Sequence, residues 1–65
     1  MKEQMKSRVF EARVIIKESG MSLVKDQFNT LAEAIQDVKL REHYNDAPER
    51  KSYFVKEIIT INHYL

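Results

Sequence analysis

The chain has no cysteine, so no disulfide staples it and no thiolate is on hand for a soft metal or for nucleophilic attack. A single glycine, Gly20, cannot write a phosphate-cradling loop or a dinucleotide fingerprint. With a single proline and no Gly- or Ser-rich tract, the composition leaves little room for a linker, and no internal repeat is present. The longest apolar runs are short, as in Val14-Ile15-Ile16, which predicts no membrane span and no signal-peptide apolar segment, and hence a cytoplasmic protein. Neither sign of charge dominates: 11 Lys and Arg stand against 10 Asp and Glu, interspersed along the chain. No long-range field therefore points at nucleic acid.

What is present is a globular balance of 43% hydrophobic and 32% charged residues in 65 positions. A chain of that size buries about 60% of the surface its unfolded form exposes, a marginal core that favours association. Residues 1–65 are expected to form one small α+β domain, with residues 1–7 frayed. From Arg8 the residues alternate: Phe10, Ala12, Val14 and Ile16 fall on one side, Glu11, Arg13 and Lys17 on the other, the period of a strand. Gly20, in Glu18-Ser19-Gly20, supplies the residue tolerant of positive φ that a reversal needs. The returning arm, Met21 to Phe28, alternates poorly, which predicts a short, irregular or edge strand. Its parity sets Val24 and Phe28 on the side opposite Met21 and Leu23.

Thr30 followed by Glu33 forms a capping box and predicts a helix start, with Leu31, Ala34, Ile35 and Val38 in one stripe toward a sheet. Asn45-Asp46-Ala47-Pro48 ends that helix at or before Ala47. Tyr53 to Leu65 is rich in β-branched and aromatic residues and predicts a long strand, with a terminal helix as the competing reading because Phe54, Val55, Ile58, Ile59 and Asn62 also lie at helical spacing. The expected order is β-β-α-β: a three-stranded antiparallel-type sheet with one amphipathic helix on one face.

One helix covers one face of a sheet, yet large apolar residues occupy both faces of the last strand, with Tyr53, Val55, Ile59 and Ile61 on one side and Phe54, Ile58 and Tyr64 on the other. Glu57 falls among the first set, which requires either a bulge near Lys56-Glu57 or a half-exposed face. An uncovered apolar face on a small protein marks a docking surface. The residues expected to contact a partner are Val9, Arg13, Ile15, Phe54, Ile58 and Tyr64 on the sheet, with Leu40 and Tyr44 as an outward pair one helical turn apart.

No catalytic residues, metal ligands or cofactor can be assigned. His43 and His63 lack converging ligands, Ser7, Ser19, Ser22 and Ser52 lack an adjacent base, and Asp37 is placed to pair with Arg41 rather than to work with Glu33. The expectation is therefore a non-enzymatic interaction or regulatory protein that associates with itself and with another protein. Small chains of this makeup include phage and mobile-element accessory proteins that inhibit a host or defence factor. Two other readings are an oligomer that binds a small anion such as a nucleotide through Arg13, Arg41, Arg50 or Lys56, and a single-strand nucleic-acid binder. The latter would line Arg8, Arg13 and Lys17 along the open sheet with Phe54 and Tyr64 as stacking platforms, against which Glu11 interrupts the basic row.

Overall fold

The computed structural model describes the backbone of residues 3–64 and the side chains of residues 7–60. Its elements are β1 (Glu3–Ile16), β2 (Met21–Phe28), α1 (Leu31–His43) and β3 (Lys51–Tyr64). The three strands form one sheet in the order β2-β1-β3, with β1 antiparallel to both neighbours. β2 and β3 therefore run parallel to each other, and α1 is the crossover of a split βαβ unit with β1 inserted between its strands. The C-terminal segment is a strand of 14 residues rather than a helix. β1 begins at Glu3, well before the alternation that starts at Arg8, because the long β3 supplies a ladder partner for this aperiodic polar stretch from Glu3↔Tyr64 onward.

Local chemistry accounts for the turns. Gly20 adopts φ 74° and donates its N–H to the Ile16 carbonyl at 2.8 Å, while Ser19 Oγ accepts from the Met21 N–H at 3.2 Å, closing the β1–β2 hairpin. Thr30 is the N-cap of α1: its hydroxyl oxygen accepts from the Glu33 N–H at 3.3 Å and its hydroxyl donates to Glu33 Oε1 at 2.8 Å. The Glu33 carboxylate thus closes on the capping hydroxyl rather than on the Thr30 backbone. After α1 the chain turns through Asn45, whose Nδ2 donates to the Lys51 carbonyl and whose Oδ1 accepts from the Ala47 N–H.

The poor alternation of β2 has a single cause. The register steps from Ala12↔Asp26 to Arg13↔Val24, so Lys25 is an extra residue on β2. The bulge returns Phe28 to the side of Met21 and Leu23, opposite Phe10, and overturns the parity that sets Phe28 beside Val24. β1 and β3, by contrast, pair without a shift, so no bulge lies at Lys56-Glu57. Glu57 remains on the core side, where its carboxylate takes the Arg8 guanidinium at 2.8 Å with both side chains about half exposed.

Phe10, Ala12 and Val14 of β1 and Ala34 of α1 form the buried core. All three β1 residues share one face, so α1 lies across that face. Ala12 on the sheet and Ala34 on the helix are both fully buried, and small side chains at these positions let helix and sheet approach closely. The contact is centred on Ala34 and the half-buried Val38. Leu31 and Ile35, expected within the stripe that faces the sheet, lie at its rim and are 48% and 38% exposed, because close approach at Ala34 rotates the helix toward Asp37 and Arg41.

Candidate functional site

Among the described residues, no element covers the sheet face opposite α1. β1 contributes Val9, Glu11, Arg13 and Ile15; β3 contributes Ser52, Phe54, Lys56 and Ile58; β2 contributes Ser22, Val24 and Gln27. Cross-strand partners share a face in an antiparallel pair, so the register sets Val9 beside Ile58, Glu11 between Gln27 and Lys56, Arg13 between Val24 and Phe54, and Ile15 between Ser22 and Ser52. Val9, Ile15, Phe54 and Ile58 are all half-buried by their neighbours in the sheet alone. The face is apolar toward both ends and polar across its middle.

That polar middle is a hydrogen-bonded network. Glu11 is 8% exposed; its Oε1 takes Arg13 Nη1 at 2.6 Å and its Oε2 accepts from Gln27 Nε2 at 3.2 Å. Arg13 Nη2 donates to Ser22 Oγ at 3.0 Å, and Arg13 Nε is buried without a partner. The Arg13 hydrogen bond, aided by Gln27 and by the charge of Lys56, holds the Glu11 carboxyl below its ordinary range against the opposing effect of burial. An ionised carboxylate whose oxygens are both engaged is a poor general base, and a guanidinium tied at both Nη atoms is a poor phosphate clamp. The network fixes side-chain positions on the face; it does not offer a reactive group.

Five of the eight residues expected at a partner surface, Val9, Arg13, Ile15, Phe54 and Ile58, come together on this face. Leu40 on α1 and Tyr44 at its C-cap lie on the other side of the sheet, 58% and 75% exposed, so they make a separate surface. There Tyr44 meets the edge of His43 at 4.9 Å between ring centroids, and Leu40 lines a shallow open groove with Phe28, Glu33, Gln36 and Asp37. The reading of Tyr64 as a contact residue, like those of His63 as a ligand and of Tyr64 as a stacking platform, falls outside the described side chains.

The basic row of the nucleic-acid reading does not form. Arg8 has the parity of Phe10, lies on the helix side of the sheet and pairs with Glu57, while Arg13 is tied to Glu11. The cations of the anion-binding reading do not converge either: Arg13 and Lys56 flank Glu11, Arg41 pairs with Asp37 along α1 at 2.6 Å, and Arg50 belongs to the α1–β3 loop. Glu33 and Asp37 are each engaged, with Thr30 and Arg41, so they do not act as paired carboxylates. Among the described residues no group of three or more His, Asp or Glu is placed to hold a metal, and no helix is long and apolar enough to cross a membrane. Glu11, Gln27 and Ser22 escape the sequence reading. The shared parity of Glu11 and Arg13 signals the first, whereas Gln27 reaches the face only through the bulge at Lys25. No protein-family model matches this chain, and no curated protein or solved structure matches it.

Proposed function

We propose that the chain is a non-enzymatic binding protein that docks another protein on the open face of its sheet. One observation carries this reading: Val9, Ile15, Phe54 and Ile58 lie on a face that no described element covers, disposed around a Glu11–Arg13–Gln27 network in which both Glu11 carboxylate oxygens and both Arg13 Nη atoms are bonded within the chain. Protein interfaces have this anatomy, with apolar and aromatic anchors for burial and pinned polar groups that set register. The partner surface that fits is mainly apolar, with polar atoms facing Lys56 and Ser52. A regulatory or inhibitory role is the natural use of such a surface, since masking a partner demands contact area and no chemistry.

The test is affinity isolation from extract of the source organism, comparing the unmodified protein with Phe54→Asp and with Tyr44→Asp. A specific partner retained by the unmodified chain and by Tyr44→Asp, and lost with Phe54→Asp while the circular dichroism spectrum is unchanged, is the expected result. Retention that ignores Phe54 and depends on Tyr44 would move the docking surface to α1 and defeat the proposal.

A further inference from the structure

The sheet has two outer strands, and in an antiparallel pair alternate residues turn their backbone groups away from the partner strand. At the start of β3 the outward set is explicit. The Lys51 N–H donates to Ala47, the Lys51 carbonyl accepts from Asn45, and the Tyr53 N–H donates to the Glu42 carboxylate. Since the β1–β3 register has no shift, Val55, Glu57 and Ile59 also turn their N–H and C=O groups outward. The helix end and loop satisfy this edge only as far as Tyr53.

The other free edges are blunted. β2 carries the Lys25 bulge, which breaks its ladder, and the part of β1 that runs past β2 has Lys6 and Arg8 at its outward positions. The β3 edge is long and regular, with Val55 and Ile59 at outward positions. Beyond Phe10 and Glu57, moreover, β1 and β3 continue as a two-stranded ribbon that no third strand joins, an arrangement marginal in water by itself.

We propose that β3 pairs antiparallel with β3 of a second copy of this chain, about a two-fold axis at Ile58, to make a continuous six-stranded sheet. The second copy is the occupant because the charges along the edge select a self-register. An axis at Lys56 or Glu57 sets like charges directly opposite each other, which is destabilising. With the axis at Ile58, Ile58 faces Ile58, Glu57 faces Ile59, Lys56 faces Thr60 and Val55 faces Ile61, and each ribbon gains its third strand. Axes farther along shorten the overlap. Hydrogen-bonded pairs join only outward residues, so both helices fall on one side and both open faces on the other. A net charge of +1 per chain sets little repulsion against the dimer. This inference uses the strand edge and goes beyond the open-face reading.

The test combines light scattering with site-resolved amide exchange across protein concentration. A mass approaching twice 7.7 kDa is expected at high concentration. The amides of Val55, Glu57 and Ile59 gain protection as the dimer forms, while those of Phe54, Lys56 and Ile58 are bonded to β1 at every concentration. Ile59→Pro removes one outward donor and no bond to β1, so it is expected to abolish the dimer with little change in the circular dichroism spectrum. Phe54→Asp, which disrupts the open face, is expected to leave the dimer intact, so the two proposals fail separately. A monomer at millimolar concentration overturns the inference, as does a dimer whose new protection lies in Met21–Phe28. Should Ile59→Pro not fold, the alternating exchange pattern of the unmodified chain decides.

Discussion

Glu11 shows how one side chain can look like an interruption and act as an anchor. It breaks the run of basic residues on β1, yet it is the buried member of the open-face network and holds Arg13 and Gln27 in place. Because its carboxyl titrates below the ordinary range in the folded chain, its contribution to stability is fully present above the unfolded value and is lost as pH falls through the folded one. Thermal unfolding followed from pH 7 down to pH 2 should show the midpoint falling through and below the usual carboxylate range. Glu11→Gln should lower the midpoint at pH 7 and flatten that fall, and an equally steep fall in the variant would contradict the assignment. The opposite sign holds for Lys51, which Asp46 raises: its contribution fades only as pH climbs past the ordinary lysine range. The pairing of Glu11 with Arg13 is legible from their spacing of two in a strand, but the third partner is not. Gln27 comes to Glu11 because Lys25 is looped out of the ladder, and nothing in the residue types around Lys25 demands a bulge there.

Among the elements, α1 separates what local chemistry specifies from what packing decides. Its start is legible because the Thr30 cap and Glu33 are local, and its end because turn formers and Pro48 follow. Its rotation about its own axis is not local. The stripe predicts Leu31, Ala34, Ile35 and Val38 facing the sheet together, whereas Ala34 is fully buried and Leu31 and Ile35 are turned to the rim. Ala34→Leu should therefore lower stability by about 1–3 kcal/mol through overpacking, despite improving the hydrophobic pattern. Chemical denaturation compares the two proteins. A stabilised Ala34→Leu variant would show that the space around Ala34 admits a larger side chain, and that close approach there does not seat the helix. Strand order is legible in part: the hairpin and the irregular β2 follow from Gly20 and from broken alternation. The N-terminal reach of β1, Glu3 to Ser7, depends on partners far away in sequence, Tyr64 to Thr60, and no local pattern reports it.

At the scale of the whole molecule, apolar residues on both faces of β3 already imply that one helix cannot cover the sheet. The sequence does not disclose that the shortfall also runs along the strands. The Cα atoms extend 53 Å in the longest dimension and 10 Å in the shortest, and β1 and β3 pair over 14 positions while β2 joins only from Phe10 to Ile16. The molecule is thus a covered three-stranded half and a bare two-stranded half on a shared pair of strands. Local opening free energy follows buried contacts, so the halves should differ in exchange although their β1–β3 ladder is continuous. In dilute solution the Val9 and Ile58 amides should exchange well ahead of those of Glu11 and Lys56, all four being bonded across the same ladder. A species that binds only the paired state stabilises it by mass action, so raising the protein concentration should slow Val9 and Ile58 toward the rate of the covered half. Equal protection at both ends in dilute solution would mean that the ribbon stands on its own, and the physical reason for this chain to recruit a second copy would be gone.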